Sequence, residues 1–88
     1  MDSRPALQLV LEALSTAYGL DTGAIDPSTD LGDIGFDSLG LTAIVARAEA
    51  EYDVEFSSER ILEMYQSLLV TDLARAIEIG IDEARTPA

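Results

Sequence analysis

Apolar positions recur along most of the chain with a helical period and leave one long interval where no period survives. Leu7, Val10, Leu11, Leu14, Ala17 and Tyr18 fall three, four and seven apart, which predicts an amphipathic helix. Ser3 can cap it, Pro5 suits its first turn and Gly19 can close it as the residue after the last turn. From Gly19 to Asp37 neither a helical nor an alternating pattern holds, and Gly23, Pro27, Gly32 and Gly35 punctuate the stretch, which predicts a long loop. Leu20, Ile25, Leu31, Ile34 and Phe36 are spaced to pin that loop across helix ends. Periodicity returns in Leu41, Ile44, Val45, Ala48 and Tyr52, one buried stripe of a second helix over about 38–52, with Leu39, Ala43, Ala46, Arg47 and Ala50 on the opposite face. A short third helix follows, capped by Ser57 or Ser58 and anchored by Ile61, Leu62 and Tyr65. Leu68, Leu69 and Val70 either fill a connection or begin a last helix, whose stripe is Leu73, Ile77 and Ile81 with Ala74 and Ala76. Gly80 is expected to interrupt or end it, and Asp82 to Ala88 to fray. The fold expected is all-α: a small four-helix bundle of three main helices and a short third, with a long loop between the first two. One domain is expected over 1–88, with disordered ends at about 1–3 and 82–88.

The junction of loop and second helix carries the most specific local chemistry. Asp37 is a good N-cap, because its carboxylate can accept from backbone N–H groups of the first turn. Ser38 then opens the helix, with Gly35 allowing a left-handed backbone upstream and Phe36 and Leu39 bracketing the serine as apolar anchors. A hydroxyl held there lies at the positive end of the helix dipole, where a phosphate ester would be electrostatically favoured. An Asp-Ser pair before an apolar run is also a common cap with no further role. The aspartates at 26, 30, 33 and 37 do not form a calcium loop, since ligands at alternate positions and a closing glutamate at the twelfth are both missing.

Composition narrows the chemistry further. Cysteine and histidine are absent, so the chain can build no disulfide, thiolate nucleophile, histidine base or zinc site of the common kinds. Ser38 has no internal activator, which counts against a hydrolase but leaves it a good acceptor for another enzyme. Seventeen acidic against five basic residues give a net charge of −12, which argues against nucleic acid and anionic membranes as partners. That charge on so small a core is also expected to make self-repulsion costly. Added salt or magnesium should therefore raise the melting temperature in calorimetry, and a flat response would show that the acids are already dispersed or paired. Residues 1–4 lack the features of a signal peptide and no stretch is long enough to span a bilayer, so a cytoplasmic protein is expected.

The seven residues Asp33-Ile34-Gly35-Phe36-Asp37-Ser38-Leu39 resemble the Asp-Leu-Gly-x-Asp-Ser-Leu signature of acyl carrier proteins, with Ile34 in place of the usual leucine. The resemblance extends through Leu41, Ala46, Arg47, Glu49, Tyr52 and Val54 and is closest to the free-standing carriers of bacterial aromatic polyketide synthases. It implies a 4'-phosphopantetheine arm attached to Ser38 by a phosphopantetheinyl transferase, with Asp37 and Leu39 flanking the attachment. It also implies a monomeric carrier that performs no catalysis and presents thioesters to ketosynthase, acyltransferase or tailoring enzymes.

In that family the second helix is the surface that partners touch, often through acids near the serine. Here Gly40 and Ala43 stand at those positions, so contact is expected to rest on Leu39, Ala43 and Ala46 with Arg47 at the rim. Glu49, Glu51 and Asp53 gather instead at the far end, where they would act on encounter rate. Neutral residues at 40 and 43 also keep an aminoacyl or peptidyl carrier in view, although Asp37 before the serine favours the acyl type. From another class, an acidic helical interaction module without a prosthetic group would use Asp37 and Ser38 only as caps.

Overall fold

The computed structural model describes residues 4–85, so the expected cap at Ser3 and the outermost residues of both ends lie outside it. Four helices form the bundle: α1 (Arg4–Tyr18), α2 (Ser38–Tyr52), α3 (Ser58–Tyr65) and α4 (Val70–Arg85). The all-α bundle with a short third helix is thus as expected. Helix α1 packs against α2 and α4, and α3 lies mainly on α4.

The buried face of α1 differs from the expected stripe. Ala6, Leu9, Val10, Ala13 and Leu14 are in the core, while Leu7, Leu11 and Tyr18 are only partly buried and Ala17 is exposed. Apolar residues cover much of this helix, so its periodicity left its rotation open; the face turned inward combines the large side chains of Leu9, Val10 and Leu14 with the small Ala6 and Ala13. The stripe of α2 is as expected, with Leu41, Ile44 and Ala48 buried and Val45 and Tyr52 packed at its margin.

The long first loop is more ordered than its lack of period suggested. It contains two 3-10 turns, Thr22–Ala24 and Leu31–Ile34, and Gly35 closes the second with a left-handed φ of 77°. Ile25 and Leu31 are buried, and Leu20, Ile34 and Phe36 pack against the core as their spacing implied. What could not be read locally is a backbone tie to the α3–α4 connection. The N–H of Leu31 donates to Leu68 O (2.8 Å), that of Val70 to Thr29 O (3.0 Å) and that of Thr71 to Pro27 O (2.9 Å). The aspartates of the loop serve local turns: Asp26 accepts from the N–H of Ser28 (2.8 Å), and Asp30 from that of Gly32 (2.8 Å), capping the second 3-10 turn.

Three expectations in the C-terminal half need correction. First, α3 is capped by Ser57, and its buried anchor is Met64, fully inaccessible; Leu62 and Tyr65 are about half exposed and Ile61 only partly buried. Second, Glu49 is not a free surface acid, because its Oε2 accepts the N–H of Phe56 (2.8 Å) and so caps the α2–α3 connection. Third, Gly80 neither ends nor interrupts α4, and residues 82–85 are helical rather than frayed. The last turn is held by Arg85, whose guanidinium lies 5.7 Å from the centre of the Tyr52 ring and donates to Tyr52 O, and by Glu83, which pairs with Arg60 (2.9 Å).

Gly80 is a packing residue. A Cβ there would lie 2.8 Å from Phe56 Cδ1 and 2.9 Å from Arg60 Cγ. Phe56 is buried and Arg60 is held by Glu83 and Glu63, so neither can withdraw cheaply. Gly80→Ala is therefore expected to lower the melting temperature by several degrees, although alanine raises helix propensity by about 1 kcal/mol. A variant that melts higher than the parent would show that the Phe56 contact yields.

Candidate functional site

The site is assembled where the long loop feeds into α2. Gly35 turns the chain with positive φ, Phe36 dips against the core, and Asp37 is extended (φ −144°, ψ −170°) before the first helical residue, Ser38. Asp37 caps α2 as expected, its Oδ1 accepting the N–H of Gly40 at 3.2 Å. Both Ser38 and Leu39 are exposed, Leu39 by 77%. The serine thus sits at the outer rim of a helix N-terminus, where backbone N–H groups and the helix dipole favour a phosphate oxygen.

A second contact on Asp37 comes from far away in sequence. The hydroxyl of Tyr18, the last residue of α1, donates to Asp37 Oδ1 (2.8 Å) and accepts from the Asp37 N–H (3.0 Å). The Tyr18 hydroxyl, followed by the Gly40 N–H, holds the Asp37 carboxyl below the usual carboxylate range. Burial, followed by the Asp37 contact, pushes the Tyr18 phenol up. The stability that Asp37 contributes is thus present above the ordinary carboxylate range and lost as pH falls through its lowered value. That of Tyr18 is present below the ordinary phenol range and lost as pH rises through its raised one.

Beside Ser38 an apolar groove of about 320 Å³ opens between α2 and α3, lined by Ser38, Leu41, Ser58, Ile61, Leu62 and Tyr65. Leu62 and Tyr65, expected in the core, are thus walls of this groove. Their adjacency to Ser38 had no sequence signal beyond the apolar character of α3.

A family model described as "Phosphopantetheine attachment site" matches residues 8–77. The chain belongs to that family. A search of curated proteins found no match. Family membership makes the chain a carrier of covalent 4'-phosphopantetheine that meets phosphopantetheinyl transferases and biosynthetic enzymes, and it sets aside an interaction module without a prosthetic group. Domains of this type are in general not themselves catalytic. Among the described residues no helix is long and apolar enough to cross a membrane.

The residues present fit the group. The hydroxyl at the start of α2 is exposed, it lies at the positive end of the helix dipole, and the neighbouring groove is apolar. When bound, the arm would supply a thiol able to hold a carried group as a thioester.

Of the residues expected to meet partners, Leu39, Ala43 and Ala46 are exposed on α2. Arg47 is exposed too but bound to Glu12 of α1 at 2.7 Å. Gly40 is not a surface position at all: it is buried beneath the ring of Tyr18. Its neutrality has a packing cause and carries no information about cargo.

Proposed function

We propose that this chain is a discrete acyl carrier protein whose arm is attached at Ser38, serving polyketide biosynthesis in the cytoplasm as a non-catalytic monomer of one domain. The observation that carries the assignment is the exposed Ser38 opening α2 directly after its Asp37 cap, inside the region matched by the family model. The polyketide assignment rests on the resemblance running from Asp33 to Val54. Incubation with coenzyme A and a broad-specificity phosphopantetheinyl transferase should raise the intact mass by one arm, localised to Ser38 by fragmentation. An arm found on any other serine overturns the site.

Ketosynthase, acyltransferase or tailoring enzymes would meet the exposed apolar face of Leu39, Ala43 and Ala46. Leu39→Ala is expected to weaken binding of a cognate transferase or ketosynthase about fivefold or more, through faster dissociation. Neutralising Glu51, which is exposed, should instead slow association. Surface plasmon resonance at two salt concentrations separates these effects. A dominant loss in Asp33→Asn with an unchanged Leu39→Ala variant would move the contact to the loop acids.

A further inference from the structure

Two unusual features meet at the start of α2. Gly40 stands in the first helical turn, where glycine weakens a helix, yet its φ is not among the positive values of Gly19 and Gly35, so backbone freedom does not account for it. Tyr18 leaves the end of α1 to place its hydroxyl on a residue nineteen positions later. Each explains the other. A Cβ on residue 40 would lie 2.2 Å from Tyr18 Oη and 2.9 Å from Cε2 and Cζ, so the phenol can reach Asp37 only over a bare backbone.

The resulting contact is unusually restrictive for a surface residue. Tyr18 Oη bonds both the N–H and the carboxylate of Asp37, and the same Oδ1 takes the Gly40 N–H. The Phe36–Asp37 peptide and the side chain capping the helix that Ser38 opens are therefore tied to one ring. The contact also joins the two ends of the long loop, the last residue of α1 to the residue before α2.

We propose that Tyr18, seated on Gly40, is a positioning residue for arm attachment: by clamping Asp37 it fixes the direction in which Ser38 presents its hydroxyl to the transferase. This rests on Ser38 as the attachment residue. Holding an acceptor in one orientation spares the transferase the entropy of selecting it, and a well-placed hydrogen bond to a charged group is worth a measurable factor in rate. Phenylalanine at 18 keeps the ring and loses the clamp. Alanine at 40 keeps the hydroxyl but evicts it.

The experiment compares the parent, Tyr18→Phe, Gly40→Ala and the double variant. The kcat/KM for arm transfer from coenzyme A is read by intact mass, the Asp37 carboxyl titration by carbon-13 NMR, and folding by thermal melts. Each single variant should lower kcat/KM about threefold to tenfold. The double variant should be no slower than the slower single one, because the second change has nothing left to break. The Asp37 midpoint should rise in both single variants. Changes in melting temperature should not follow the order of the rate losses, since alanine at 40 also strengthens the helix. Unchanged rates in Tyr18→Phe, or losses that multiply in the double variant, overturn the positioning role. An unmoved Asp37 midpoint in Tyr18→Phe overturns the clamp. Failure of the attachment reading looks different: the parent itself would take no arm, or would take it in the Ser38→Ala variant as well.

Discussion

Ser38→Ala is expected to abolish arm attachment completely while leaving the melting temperature nearly unchanged. Alanine is a good helix former, the cap on Asp37 is retained, and the exposed side chain supports no core contact, so the stability change should stay within about 0.5 kcal/mol. The demanding control is Ser58, which also opens a helix behind a capping residue, Ser57, and lines the same groove as Ser38. Ser58→Ala should load like the parent. Among the other described serines, Ser15, Ser28, Ser57 and Ser67 hold their hydroxyls in local hydrogen bonds to Leu11 O, Asp26, the Arg60 N–H and Glu63 O. Intact-mass measurement decides the matter: a Ser38→Ala variant that still gains one arm overturns Ser38, and a simultaneous loss in Ser58→Ala would move the site across the groove.

Met64→Ala should be among the most destabilising single changes available. Its side chain is fully buried, and truncation of such a methionine costs about 2 to 5 kcal/mol. A chain of this size has roughly 4 to 13 kcal/mol in all. The loss also falls on α3, an eight-residue helix too short to persist without tertiary contacts. Leu62→Ala, by contrast, removes a side chain that is 55% exposed and should cost under about 1 kcal/mol. Urea denaturation of both variants is the measurement. Equal losses would mean that Leu62 is an anchor of α3 after all and that the groove beside Ser38 is closed in solution. With the expected inequality, Leu62→Ala becomes a clean probe of the groove, since it alters a wall and leaves the fold standing.

The all-α class, the four helices and the start of α2 at Ser38 were legible in the chain because each depends on short-range physics. A 3.6-residue apolar period, an Asp cap, a serine cap on α3 and glycines with positive φ at 19 and 35 act within a turn or two of themselves. The family pattern around Ser38 is equally local. What the periodicity left open was rotation: in α3 the apolar residues 61, 62, 64 and 65 cover nearly half the helix circumference, and only the position of α4 decides that Met64 faces inward while Leu62 and Tyr65 wall the groove. The two misread glycines share a cause. Gly40 and Gly80 look like a neutral surface position and a helix end, yet each is the seat of a ring from a distant part of the chain, Tyr18 on one and Phe56 on the other. The tie between the first loop and residues 68–71 is likewise invisible locally, because backbone hydrogen bonds leave no mark on side-chain identity. The sequence alone therefore determined that the chain forms four helices and which serine opens α2; the packing of remote rings and backbones decided how far α4 extends and how that serine is held, because such contacts depend on separations that no local pattern encodes.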